Sequence, residues 1–550
     1  MARSPKPGPA KVRQFWLRGR WTFETQVLLV LATSASLLTF FYCFQHNQIL
    51  LYGDAEGHIN IARRVFDSRS PGPLQLGTVW LPLPHLLMMP FLVSDWAWRT
   101  AIGGSVPSLI AYVCAVFGIF RLTRAILGDS AKFPAWFAVL VFGCNPSLLY
   151  LQTTAMTETL YLALFIWAVV HLTEFARKVQ QEDWVGARTS LRWCGLVLAA
   201  TTMTRYDGWI AMALAATVVL VIFGGNRVRG ISGASSLTKP VLGFLLICAA
   251  GPLLWFAYNT AVYRNPIEFA NGPYSAKAIE HRIVQPPHPG TNDLAMAELY
   301  FVRAVEMNLA RTVPTAKFWL ILAVLGTAAG LRFRQGWLLL LLWIPLPFYA
   351  LSIAYSGVPI FVPDWWPFGL YNLRYGLQLL PAVAVSSAIA LHGVLKRIPN
   401  ARAQQAIAAI AAGFCLWTAS QAASNPASFL EAKVNMRGRV ALQERLATVM
   451  AALPENSSIL MALRDFPGAP QRAGVHLCRT INENDLRLWR QPQDEEGLWT
   501  RALEDPAKYS DFAIGFAGDP VDAAAAAHRL KPLLILEVSG QPKATLYRTR

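Results

Sequence analysis

Three observations predict a polytopic α-helical membrane protein with a small α/β domain at its C-terminal end. The 550 residues are 54% hydrophobic and only 15% charged, with positive mean hydropathy, whereas an ordinary soluble domain carries about a quarter charged residues. The apolar residues gather into about eleven segments separated by polar connections. After about Asn425 that pattern stops, charges become frequent and apolar runs shrink to strand length. The net charge of +17 suits cytoplasmic loops rich in Lys and Arg, so membrane lipids and not nucleic acid are the expected surroundings. Six of the seven cysteines lie in apolar segments and no CxxC occurs, which predicts neither a disulfide framework nor a zinc site.

A basic tail over residues 1–24, with Lys6, Lys11, Arg13, Arg18 and Arg20, precedes the first apolar segment, about Thr25 to Phe44. That run exceeds the roughly 7 to 15 residues of a signal-peptide core, so it predicts an uncleaved span entered from the cytoplasm. Further segments run approximately Thr100 to Phe120, Phe133 to Tyr150, Thr159 to Phe175, Leu191 to Thr204, Gly208 to Gly224 and Val241 to Tyr263. The last four run Phe318 to Leu331, Trp337 to Tyr355, Tyr375 to Leu395 and Ala406 to Ala422, closing a transmembrane part over residues 25–422. Clusters such as Arg121, Arg124 and Lys132, or Lys396, Arg397 and Arg402, all fall in alternate connections on the side of the N-terminus. The positive-inside rule makes that side cytoplasmic. The loops at 47–98, 264–317 and 356–374 and the region 425–550 then share the extracytoplasmic face. A multi-pass protein of the inner (plasma) membrane is expected.

The stretch from Tyr52 to His85 collects acids, bases and kinks in the first outer loop. Asp54 and His58 stand one helical turn apart, so a helix beginning near Ala55 puts both on one face. Ile59, Ala62, Val65 and Phe66 recur at helical spacing, which suits a helix lying on the membrane surface. Asp54 there can meet a membrane-bound substrate, or serve only as an N-cap. His58 with Asp54 and Glu56 is a weak metal set, set against a hydrogen-bonded interfacial histidine; no metal site is assigned, and a divalent cofactor is left open. Glu158 opens a span at its outer end, where a helix dipole favours a carboxylate and where a second acid is also in place. Cations expected on the outer face are Arg63, Arg64, Arg205, Lys277, Arg303 and Arg374, of which Arg63 and Arg64 also suit snorkelling to headgroups. His85, between prolines, reads as structural, and Trp365 and Trp366 read as an interfacial belt.

Beyond Asn425, an amphipathic helix is predicted over Leu430 to Leu453 and another over Val521 to Leu530. Strands are predicted near Ser458 to Leu463, Phe512 to Phe516, Leu533 to Val538 and Ala544 to Tyr547. No Gly-rich phosphate loop, nucleophile elbow or metal-ligand spacing occurs in this region.

Four stretches together resemble the GT-C glycosyltransferases: GDAEGHINIARR, the TVWLPLPHLL that follows it, NPSLLYLQTTAMTETLYLAL and YNLRYGLQLLP. The nearest likeness is to bacterial protein O-mannosyltransferase-like and lipid A aminoarabinose transferase-like proteins. That family places Asp-Glu in the first outer loop with Ala-Arg about two turns later; Asp54, Ala62 and Arg63 match, while Ala55 stands where Glu is frequent and Glu56 is displaced by one. The resemblance implies a GT-C-like fold and transfer of a sugar from a polyprenyl-phosphate donor to a hydroxyl of a lipid, glycan or protein acceptor on the outer face. It implies Asp54 as the catalytic carboxylate. With it go Arg63, Arg205 and Arg374 toward the donor phosphate, and Glu158, Glu56 and His58 as a second acid or support. The alternative is a polytopic transporter or flippase, which would hold its ionisable groups near the bilayer midplane; the acids here gather at outer span ends.

Overall fold

The computed structural model describes residues 22–272, 275, 276, 278, 287–485 and 497–550. Each of the eleven expected segments is helical. Among the described residues nine helices are long and apolar enough to cross a membrane: Phe23–Gln45, Ile102–Leu127, Glu158–Gln180, Asp207–Val228, Ala234–Tyr263, Val313–Gly330, Gly336–Tyr355, Leu373–Leu395 and the run Ala401–Ala451. The chain is thus a multi-pass membrane protein. Two expected segments fall short of a full span. The first breaks into Lys132–Gly143 and Pro146–Leu151, because Asn145 caps the second piece at the Leu148 N–H (3.0 Å) with Pro146 at its first position. The second, Trp184–Thr202, carries Arg188 and Arg192.

Burial sorts the bundle. In Glu158–Gln180 and Leu373–Leu395, 78% of the most apolar stretch is buried, against 22% in Asp207–Val228; the first two form the centre, so charges at their ends are carried inward. Small residues let neighbours close up, as expected where lipid is no drier than Leu. Gly326 sits against the backbone of Ser386 with no room for a Cβ, and the adjacent Thr327 hydroxyl bonds that of Ser386 at 2.8 Å. Ion pairs mark the two ends of the bundle. At one, Arg124 closing Ile102–Leu127 meets Glu24 opening Phe23–Gln45 at 2.9 Å. At the other lie Asp54, Glu158, Arg205 and Arg374.

At that second end the helix that bears Asp54 runs Gly53–Arg64 and buries Ala55, Ile59 and Ala62 completely, and with Glu56, His58, Asn60 and Arg63 also buried it is enclosed by protein and does not lie on the membrane surface as expected. It is covered by the C-terminal region, which begins with helix Ala427–Ala451 and contains β1 (Ile459–Met461), β2 (Thr480–Ile481), β3 (Phe512–Phe516), β4 (Lys531–Leu536) and β5 (Ala544–Arg548). The sheet order is β2-β1-β3-β5-β4, with β1 parallel to β2 and β3, and β5 antiparallel to β3 and β4. Leu460, Ile481, Ala513 and Val521 form its core. β2 is two residues long and carries no periodic signal, which is why sequence patterning passes over it. Polar contacts fasten this region to the 47–98 connection: Glu56 to Arg472 (2.7 Å) and Gln443 (2.9 Å), Asn60 to Gln471 (2.9 Å), and Ser70 to Asp485 (3.0 Å).

Candidate active site

Arg374 is the hub of that second end. It enters from the 356–374 connection, where Asn372 adopts a left-handed backbone and begins a turn of 3-10 helix at Leu373. Its side chain is 5% exposed and each guanidinium nitrogen reaches a different carboxylate: Nη2 to Asp54 at 2.6 Å, Nε to Glu158 at 3.1 Å and Nη1 to Glu431 at 2.7 Å. Glu431 also accepts the backbone N–H groups of Asn372 (3.0 Å) and Arg374 (3.2 Å). Charge-assisted bonds in three directions fix the guanidinium plane.

A second arginine backs the first. Arg205 donates Nη1 to the same Glu158 oxygen at 3.1 Å, Nε to Asp207 at 3.3 Å and Nη2 to the Tyr349 hydroxyl at 2.9 Å, and that hydroxyl donates to Asp207 at 3.0 Å. The Tyr375 ring lies 4.9 Å from Arg205 and 5.0 Å from Arg374, and Tyr52 covers Arg374 at 5.1 Å. With all groups ionised, four carboxylates against two guanidiniums leave a formal charge of −2. Glu158 Oε2 and Asp207 Oδ1 are buried without partners.

Asp54 is the open member of this network. Its side chain is 42% exposed, while Glu158 and Glu431 are 1% and 2% exposed. It does not cap its helix: the N-cap position is Tyr52, which makes no side-chain cap bond, and the Asp54 carboxylate is turned to Arg374. The arrangement is a carboxylate presented outward on a rigid, buried support, suited to accepting a hydrogen bond or proton from a bound hydroxyl.

The other residues singled out in the sequence sit elsewhere. Arg63 is buried beneath the C-terminal region, with Nε on Asp67 (2.8 Å), Nη2 on Asp95 (2.5 Å), Nη1 on the Leu92 carbonyl (2.6 Å) and Trp98 under its guanidinium (4.8 Å). Burial opposes the charge on Asp67, but bonds from Arg63 and the Cys478 N–H outweigh it and hold the carboxyl below its usual range. Arg64 donates to the Gln75 carbonyl (2.7 Å), and Arg303 pairs with Asp364 (2.8 Å) and Glu306 (3.0 Å). Lys277 lies outside the described residues. Trp365 is 36% exposed and packs edge-on to Tyr300.

Glu56 is wholly buried against Arg472, and His58 bonds the buried His85, Nδ1 to Nε2, at 2.8 Å under Trp80. Burial first, then the charges of Arg374 and Arg205, push His58 down to about 3. Asp54, Glu56 and His58 therefore turn to three different partners, and among the described residues no group of three His, Cys, Asp or Glu side chains is placed to hold a metal ion.

Glu431, Tyr349, Tyr375 and Tyr52 were not singled out by sequence reasoning. Tyr375 lay within the YNLRYG motif, but Glu431 reads locally as one more charge on an amphipathic helix. Its pairing with a residue 57 positions earlier leaves no periodic trace.

No protein-family model and no curated protein matches the chain. Among solved structures, ArnT from Cupriavidus metallidurans in the apo state has a TM-score of 0.61 at 14% identity, over 96% of this chain and 98% of that one. The same ArnT bound to undecaprenyl phosphate has a TM-score of 0.56 at 14% identity and the same coverage. Over that 96%, the chain has the GT-C-like fold that its motifs predict.

Proposed function

We propose that the protein is a membrane glycosyltransferase that moves a sugar from a polyprenyl-phosphate carrier to an acceptor hydroxyl at the extracytoplasmic surface. The observation that carries this reading is the outward-facing Asp54 held by the buried Arg374 at the end of the bundle opposite the Glu24–Arg124 pair. That end is the one remote from the Lys- and Arg-rich loops, which the positive-inside rule assigns to the cytoplasm. Sugar nucleotides are cytoplasmic, whereas a lipid-linked sugar can be delivered at the outer leaflet. The likeness in fold to an ArnT crystallised with undecaprenyl phosphate supports a lipid-phosphate donor.

In the step proposed, Asp54 accepts the acceptor's hydroxyl proton as the hydroxyl oxygen forms a bond to the sugar's anomeric carbon. The bond from that carbon to the phosphate oxygen breaks, and the lipid phosphate leaves with the electron pair. Arg374 is a positioning residue that aims Asp54, Glu431 and Glu158 fix Arg374, and Arg205 fixes Glu158. A hexosyl or pentosyl group is the expected cargo.

Transfer from a polyprenyl-phosphate sugar to acceptor in proteoliposomes tests this. Asp54→Asn should lower the rate by about a hundredfold or more while the protein still binds undecaprenyl phosphate. Undiminished transfer by that variant would remove Asp54 from the chemistry.

A further inference from the structure

We propose that Arg439, outside the Arg374 network, is the cation that receives the phosphate monoester of the lipid carrier; this rests on the functional reading above. The network itself is poorly suited to that task. Arg374 and Arg205 are already shared among four carboxylates, so the cluster repels an incoming anion more than it attracts one.

Arg439 lies two turns beyond Glu431 on the helix Ala427–Ala451. Its guanidinium reaches the first residue of the helix that bears Asp54: a Cβ on Gly53 would stand 2.7 Å from Arg439 Nη1. Glycine at position 53 is what allows that approach. The guanidinium is placed by packing over the Phe466 ring at 5.9 Å, and its Nε is buried without a hydrogen-bond partner. Among the described residues no carboxylate pairs with it. A buried donor without an acceptor costs free energy that a ligand oxygen would recover.

A further feature favours an anion there. Lys433 and Arg437 are exposed on the same helix as Arg439, adding positive potential along the approach. The phosphate would then lie beside Gly53, one residue from the exposed carboxylate that meets the acceptor.

The test uses the full-length protein in nanodiscs, titrated separately with undecaprenyl phosphate, phosphatidylglycerol and inorganic phosphate. Wild type should bind undecaprenyl phosphate saturably. Arg439→Gln should weaken that binding about tenfold or more and raise KM for the lipid-linked donor more than it lowers kcat, with Arg439→Lys recovering part of the loss. Gly53→Ala leaves every charge in place yet crowds the guanidinium, and should weaken binding in the same direction even if Arg439→Gln folds poorly.

Unchanged affinity in Gly53→Ala, or in a folded Arg439→Gln, overturns the assignment and leaves the glycosyltransferase reading intact. Equal loss of phosphatidylglycerol binding overturns it too, because the site would then serve any lipid headgroup. Binding of inorganic phosphate alone, without the lipid form, overturns it likewise. A wild type that binds no undecaprenyl phosphate and transfers no sugar defeats the functional reading itself.

Discussion

Arg374→Gln is the most informative perturbation of the fold around the site. The substitution strips a charge from between two carboxylates that are 1% and 2% exposed, Glu158 and Glu431, and from Asp54, which is 42% exposed. The Asp54 contact counts for little in stability, about 0–1 kcal/mol, because water screens it. Breaking a buried pair by removing one partner costs about 3–5 kcal/mol. Glu158 keeps Arg205 at 3.1 Å and Glu431 keeps two backbone N–H donors, so the lower end, about 3 kcal/mol, is the expected loss. Denaturant unfolding of the full-length protein in micelles, followed by tryptophan fluorescence, measures it. Glu431→Gln in the Arg374→Gln background should return about 1–2 kcal/mol, since the orphaned charge is removed. Simple additivity of the two single losses, or a stable Arg374→Gln, would refute the claim that this arginine holds the acids together.

Three further outcomes are expected from titration. His58, driven down to about 3 by burial, stays neutral when folded; the stability this lends is complete above pH 6.5 and lost as pH falls toward 3, so His58→Asn should flatten the melting temperature over that range. Asp67 sits below its usual 3.8 despite burial. Its contribution is therefore present above pH 3.8 and lost as pH falls through the folded value, and Asp67→Asn should cost stability at pH 7 and progressively less as acid protonates the folded carboxyl. Asp485 is pushed up to about 6 by burial. That contribution is full below pH 3.8 and lost as pH rises through 6, so Asp485→Asn should melt higher than wild type at pH 8 and no higher at pH 4.

Much of the architecture was legible because a bilayer enforces simple rules: long apolar runs, and basic loops on alternate connections. The two segments that fell short broke for reasons also written locally, the Asn145-Pro146 cap and the arginines of Trp184–Thr202. The site was half legible. Asp54 stands in the first connection and Glu158, Arg205 and Arg374 at span ends on the same side of the bundle, positions that could be read from hydropathy alone. What joins them could not: the bridge Glu158 makes between two arginines links chain positions 158, 205 and 374. Arg63 shows the opposite limit. Its structural partner Asp67, one turn on, stood in plain view in the sequence and was passed over.

The helix Ala427–Ala451 begins where composition announces a separate module, and it carries both Glu431, which locks Arg374, and Gln443, which grips Glu56. Chimeras cut at residue 425 would therefore inherit a membrane half whose central arginine lacks one of its three carboxylate partners. Exchanging the outer region between distant relatives should succeed only when this helix travels with its matching first loop.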